Sequence, residues 1–171
     1  RAFLSLLIAA LIVTKCSLAV SINVGAQTQS RGECVVEAGS FRFLHELNAD
    51  LPLPMASTTK ILTALIVLED CGPDEIVIVP AEAERAEGSS VYLRRGEKRT
   101  VEELLYGMML RSGNDCAVAL AIHHSGSIGK FAVVMNIRAA AMGAESSHFC
   151  NPHGLPDEKH YTTSRDLALI A

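Results

Sequence analysis

The 171-residue chain has no dense stripe of lysine and arginine, no closely spaced Cys or His pairs of the metal-binding kind, and no internal repeat. It also lacks any apolar run of membrane-spanning length, which takes ~20 residues. Each absence excludes something. Nucleic-acid backbones are held by clustered cations that displace counterions, whereas the charges here are mixed in sign and sum to −4. The densest basic stretch, Arg94-Arg95 to Lys98-Arg99, is interrupted by Gly96 and Glu97 and reads as a solvated turn, so no nucleic-acid partner is expected. Zinc sites want close Cys or His pairs; the six histidines are dispersed, and adjacent His123-His124 cannot share a helix face. Neither metal nor cofactor is implied.

Hydrophobic residues make up 49% of the chain, enough for one globular domain with a real core. The N-terminus carries a separate signal. Arg1, the apolar run Ala2 to Val13 and the small-residue stretch Ser17-Leu18-Ala19 follow the order of a secretory signal peptide. Residues 1–19 are therefore expected to be removed after Ala19, with Ala26 as the alternative cut, leaving 20–171 as the exported portion. Lys15 argues against a lipoprotein site at Cys16, and a first residue that is not Met suggests a start further upstream. Cys34, Cys71, Cys116 and Cys150 remain after cleavage. Outside the cytoplasm a disulfide is permitted, but scattered cysteines beside a large core are expected to be unpaired, buried hydrophobes.

Along the chain, Cys34–Val36 and Phe41–His45 read as a hairpin turned by Ala38-Gly39-Ser40. Pro52 and Pro54 keep the next stretch extended. A helix is expected from about Met55 to Asp70, with Ile61, Leu62, Leu65 and Leu68 forming one apolar face. Ile76–Val79 and Ser90–Leu93 read as short strands. Thr100 and Glu103 form a capping box that opens a second helix, with Leu104, Leu105, Met108 and Met109 facing inward. Asp115 is expected to cap a third helix ending at Gly126, and a fourth runs from Ile128 to Met142 before Gly143. Phe149–Leu155 reads as a loop, and a last helix begins after Thr163. Helices dominate an α/β pattern.

Ser57-Thr58-Thr59-Lys60 stands at the start of the first long helix, where positions three apart share a face. A serine hydroxyl needs a base to become a nucleophile. A free lysine is neutral in only roughly one molecule in 2,500 at pH 7, but burial and the helix N-terminus both lower its pKa. That end also offers unpaired N–H groups where an oxyanion would form. The spacing alone is weak evidence, since Ser127-Ile128-Gly129-Lys130 shares it without any expected catalytic role, and Ser21-Ile22-Asn23 matches Ser112-Gly113-Asn114 by chance. Order gives it weight: Ser-x-x-Lys at a helix start, then about 50 residues later Ser-x-Asn in a tight helix–helix link.

Pro54-Met55-Ala56-Ser57-Thr58-Thr59-Lys60 resembles the nucleophile segment of the low-molecular-mass penicillin-binding proteins that are D-alanyl-D-alanine carboxypeptidases. Leu104-Leu105-Tyr106-Gly107 leading to Arg111-Ser112-Gly113-Asn114-Asp115 resembles their second motif. Asn151-Pro152-His153-Gly154-Leu155 and His160-Tyr161-Thr162-Thr163, with Asp166 in register, are similar to segments further on. The resemblance implies a β-lactamase/transpeptidase-like serine hydrolase fold, with a helical subdomain and an antiparallel sheet that is incomplete in this stretch. It also implies roles: Ser57 as nucleophile, Lys60 as its base, Ser112 as proton relay and Asn114 as a substrate-binding amide that steadies Lys60. The implied partners are peptidoglycan stem pentapeptides ending in D-Ala-D-Ala and β-lactam antibiotics, outside the cytoplasm, with a membrane anchor beyond Ala171 in many members.

The family's third motif, Lys-Thr-Gly, does not occur between residues 1 and 171. His124-Ser125-Gly126 comes nearest and reads as a helix terminator. From this, the chain by itself is expected to turn over substrate poorly and to expose sheet edges. Two alternatives stay open: a serine β-lactamase of the same superfamily, and a non-catalytic wall-binding or penicillin-sensing remnant.

Overall fold

A computed structural model describes residues 29–171, so the signal segment expected at 1–19 lies outside the described residues. The expected hairpin is present as antiparallel β1 (Glu33–Glu37) and β2 (Arg42–Leu47), with a bulge between Val35 and Val36. It packs on the last helix, α6 (Ser164–Ile170). From α6, Arg165 reaches Glu46 at 2.6 Å and Asp50 at 2.7 Å, with its guanidinium 4.8 Å from the Phe43 ring centre.

The proline-bearing stretch is anchored where it passes Leu53. Leu53 and Thr162 exchange both backbone hydrogen bonds, at 2.8 and 3.0 Å. A 3-10 turn (Ala56–Thr58) then leads into α1 (Thr59–Asp70). The buried face of α1 differs from the apolar stripe read in the sequence. Leu62, Ile66 and Val67 are inside together with Thr59, Lys60 and Thr63, while Leu68 is 65% exposed. Burying three polar residues turns the helix away from the face that hydrophobicity alone selects.

The strand expected at Ile76–Val79 is β3 (Ile76–Ile78), paired antiparallel with the unanticipated β4 (Lys98–Thr100). Ser90–Leu93 is not a strand. A short helix, α2 (Ala81–Glu84), and a loop occupy the stretch between β3 and β4. In that loop the Val91 and Leu93 N–H groups donate to the Asp115 carboxylate at 3.1 and 3.0 Å instead of to a neighbouring strand.

Helix α3 (Val101–Arg111) opens on the expected capping box, with Glu103 N donating to Thr100 Oγ1 at 3.1 Å and Thr100 N to Glu103 Oε2 at 2.9 Å. Its buried stripe is narrower than expected: Leu104 and Met108 are inside, Leu105 is half-buried, and Met109 is exposed. Helix α4 (Asn114–Ser125) is buried continuously from Asn114 to Ala121 and ends at Gly126 (φ 80°). A helix apolar on every side belongs in the centre, and α4 packs against α1, α2, α3 and α5 (Ile128–Ala141). Its N-cap is Gly113; Asp115 instead turns its side chain onto the preceding loop. Ser127 caps α5 by accepting from Lys130 N at 3.2 Å, so the second Ser-x-x-Lys is a helix start with an exposed lysine. The four described cysteines are free thiols, of which Cys116 alone is fully buried.

Helices α3 and α4 cross closely at Gly107, where a Cβ would stand 2.7 Å from Cys116 Sγ. Gly107→Ala should therefore destabilise the fold by ~1–3 kcal/mol, the usual cost of overpacking. Chemical denaturation should find Gly107→Ala/Cys116→Ala more stable than Gly107→Ala alone; simple addition of two losses would refute this contact.

Candidate active site

Lys60 is 2% exposed, whereas Ser57 lies exposed in the 3-10 turn ahead of α1. Lys60 follows three positions on, in the first turn of α1, where such residues share a face, and its Nζ sits 3.3 Å from Ser57 Oγ. The same nitrogen is 3.3 Å from Ser112 Oγ, 2.7 Å from Asn114 Oδ1 and 2.9 Å from the His153 carbonyl. The triangle closes with Ser112 Oγ donating to Ser57 Oγ at 3.1 Å. The four residues singled out in the sequence thus converge on one nitrogen.

Each partner is aimed by its own local structure. Ser112 ends α3 in the left-handed region (φ 56°), where the chain reverses into α4. The Asn114 amide is oriented by its Nδ2, which donates to the Glu87 carbonyl at 2.7 Å and so leaves Oδ1 facing Lys60. The 151–155 loop is fastened to α1 by Thr63 Oγ1, which donates to the Pro152 carbonyl at 2.8 Å. Gly154 (φ 88°) lies against the Ala56 carbonyl so closely that a Cβ would come within 1.8 Å of that oxygen.

Burial lowers the pKa of Lys60. A neutral amine has two N–H donors and a lone pair. In that neutral form the Asn114 and His153 oxygens, which can only accept, would take both donors and leave the lone pair facing Ser57 Oγ, which itself accepts from Ser112 Oγ. A hydroxyl beside such an amine is equipped for acyl transfer through a serine ester.

Several residues that build this site carried no role in the sequence reading. The His153 carbonyl, Thr63 and Gly154 belong to or hold the Asn151–Leu155 segment, whose motif was recognised without a task. Asp115 accepts from Ser90 Oγ, Val91 N, Leu93 N and Cys116 N. Burial works to raise its pKa, but these bonds outweigh it and hold the carboxyl below its ordinary value. Asp166 accepts from Ser146 N and Ser147 Oγ, so it braces the approach to the loop and touches none of the site residues above. Away from the serines, Cys71, Glu75 and His123 bring one ligand-type atom each within 4.8 Å of one another. Nothing in the sequence signalled this, because His123 lies 48 positions beyond Glu75. They lie at the far end of the 12-residue α1, about 18 Å of helix from the site.

Comparison with known proteins gives the family and the fold. The family model for D-alanyl-D-alanine carboxypeptidases matches residues 19–171. The chain is 33% identical over 181 aligned positions to D-alanyl-D-alanine carboxypeptidase DacF of Bacillus subtilis, covering 100% of this chain and 46% of that one. It also resembles the crystal structure of DacD from Francisella tularensis (TM-score 0.81, 33% identity, 84% of this chain and 36% of that one). A further match is penicillin binding protein 5 from Haemophilus influenzae (TM-score 0.79, 30% identity, 84% and 44%). These are serine-hydrolase-type penicillin-binding folds, as the sequence led one to expect. The chain belongs to the D-alanyl-D-alanine carboxypeptidase family, and it spans about half the length of the DacF relative it matches.

The site histidines give a pH prediction. Burial, then the nearby Lys60 charge, lowers His153 to about 4, and burial also lowers His160. Unfolded histidine titrates near ~6.5, so below that pH the unfolded chain binds protons that the folded chain does not. Stability should therefore be full above about 6.5 and fall as the pH drops towards 4. Melting curves of wild type and His153→Gln should diverge in that window alone; parallel curves would refute the assignment.

Proposed function

We propose that this protein is an exported serine D-alanyl-D-alanine carboxypeptidase acting on peptidoglycan stem peptides and open to acylation by penicillins. The observation that carries the reading is the buried Lys60 Nζ, 3.3 Å from both Ser57 Oγ and Ser112 Oγ and held by the Asn114 and His153 oxygens at 2.7 and 2.9 Å. Ser57 Oγ attacks the carbonyl joining the two terminal D-alanines while its proton passes to Lys60 Nζ. The tetrahedral intermediate collapses by breaking the C–N bond, and the leaving amine of D-alanine takes a proton through Ser112. Water then hydrolyses the ester, returning Ser57 as a hydroxyl and releasing the shortened peptide as a carboxylate. Asn114, fixed by Glu87, holds Lys60 and offers its amide to the substrate backbone. A penicillin reacts at the same atom, its strained amide standing in for the scissile bond.

The family resemblance assigns the carboxylate-recognising cation and the second oxyanion donor to a Lys-Thr-Gly strand, and that motif does not occur in residues 1–171. The wall of the cleft described here supplies nucleophile, base and relay.

The test is covalent labelling. A fluorescent penicillin should add one drug mass to the tryptic peptide containing Ser57. Ser57→Ala should abolish the label, and Lys60→Ala should slow it by ~10²–10⁴-fold, the worth of a general base. Labelling that survives Ser57→Ala would refute the assignment. The lifetime of the adduct separates the β-lactamase alternative: a carboxypeptidase holds the penicilloyl ester for long periods, whereas a lactamase releases it quickly.

A further inference from the structure

His160 is a buried imidazole with no part in the reaction above, and its surroundings dictate a single protonation state. It is 4% exposed and stands edge-on to Phe149, with ring centres 5.8 Å apart. The Cys150 backbone N–H points at Nδ1 from 2.9 Å. A backbone N–H can only donate, so Nδ1 carries the lone pair and Nε2 carries the proton. Nε2 then donates to Thr59 Oγ1 at 2.9 Å, and the Thr59 hydroxyl spends its own proton on the Ala56 carbonyl at 2.8 Å. Thr59 is 1% exposed, so no solvent competes for these bonds.

The far end of this chain is the peptide that precedes the nucleophile. Ala56 sits at φ 47°, a left-handed conformation that a residue with a Cβ holds only under constraint. Its carbonyl is constrained from three directions: by the Thr59 hydroxyl, by the Thr59 N–H, and by Gly154, which leaves no room beside it. A peptide unit is planar, so fixing the Ala56 C=O also fixes the N–H of Ser57 at the other end of the same plane. That N–H has no hydrogen-bond partner among the described residues.

We propose that His160 is a positioning residue for the nucleophile: through Thr59 it clamps the Ala56 carbonyl, and with it the aim of the Ser57 N–H and hydroxyl. This rests on the reading of Ser57 as nucleophile. The clamp works with neutral imidazole only, because a proton on Nδ1 would face the Cys150 N–H. The charged or titratable groups around the ring are Asp157, whose backbone carbonyl accepts the His160 backbone N–H at 3.0 Å, together with His148 and His153. Burial is the dominant influence and favours the neutral form, with Asp157 opposing it.

The test compares penicillin acylation rates and pH profiles of wild type, Thr59→Val, His160→Ala and His160→Gln, beside their melting temperatures. Thr59→Val keeps the shape and removes the hydroxyl; it should slow acylation ~10–100-fold, the cost of misplacing a reacting group, while saturating at a similar drug concentration. His160→Ala should slow it at least as much. Glutamine carries an acceptor and a donor on one side chain and does not titrate. His160→Gln should rescue the rate relative to His160→Ala and lose one of the protons that inhibit wild type in acid. Wild-type rates in a folded Thr59→Val, or no rescue by His160→Gln, would overturn the proposal. A readout independent of acylation is the ¹⁵N shift pair of the His160 imidazole. The Nε2–H tautomer is required, and an Nδ1–H tautomer overturns the clamp whatever the rates. A wild type that carries the right tautomer but is never acylated overturns the nucleophile reading, and the positioning role falls with it.

Discussion

The burial of a lysine amine organises the functional half of this molecule. Taking Lys60 out of water is costly unless its nitrogen is given partners. Those partners come from separate stretches of chain: Ser57 in the turn before α1, Ser112 and Asn114 in the link between α3 and α4, and His153 in the 151–155 loop. Satisfying that nitrogen draws these segments together, beside the Thr63 hydroxyl that ties the 151–155 loop to α1. The hydrophobic core around α4 sets where the helices lie; the amine sets how their ends are arranged.

A second layer of buried polar groups makes those ends rigid. Loops cannot pair their own N–H groups as helices do, and here carboxylates near helix starts serve them. Asp115, in the first turn of α4, accepts from the 90–93 stretch; Asp166, in the first turn of α6, accepts from Ser146 and Ser147. His160 and Thr59 do the same service for the turn that carries Ser57. Negative charge near a helix N-terminus is also favoured by the helix dipole, and at Asp115 the hydrogen bonds outweigh burial and hold the carboxyl below its ordinary value. Irregular backbone is thereby held by regular backbone, and the reacting groups sit on loops without the looseness of loops.

Much of this was legible before any coordinates. The hairpin, the capping box at Thr100, the helix ends at Gly126 and Gly143 and the convergence of Ser57, Lys60, Ser112 and Asn114 all follow from local chemistry or motif order. What failed has a common cause. Ser90–Leu93 looked like a strand because its composition suits one, yet its N–H groups are satisfied by Asp115, more than 20 positions away in the sequence. Asp115 looked like a cap for the same reason, its true partner being non-local. Leu68 and Met109 looked buried because apolar spacing was read without knowing that Thr59, Lys60 and Thr63 claim the inside of α1. Periodicity ranks faces by hydrophobicity, and a functional site that buries polar groups breaks that ranking. β4, written Lys-Arg-Thr, hid because two of its three residues are cationic.

The gradient of exposure across the site bears on how a lysine can act as a base and then recover. Ser57 is exposed, Ser112 is half-buried and Lys60 is almost wholly buried, so in the proposed reaction the nucleophile is open to large substrates while the base is shielded from bulk water. Burial favours the neutral amine that can accept a proton. Once the proton arrives, the Asn114 and His153 oxygens hold an ammonium through charge-assisted hydrogen bonds stronger than those they made to the amine. The nearest exit for the borrowed proton is Ser112, 3.3 Å away and facing Ser57. In the proposed reaction that route ends on the leaving amine, so one buried nitrogen, held by two carbonyls, both takes the proton from the nucleophile and gives it back where the bond breaks.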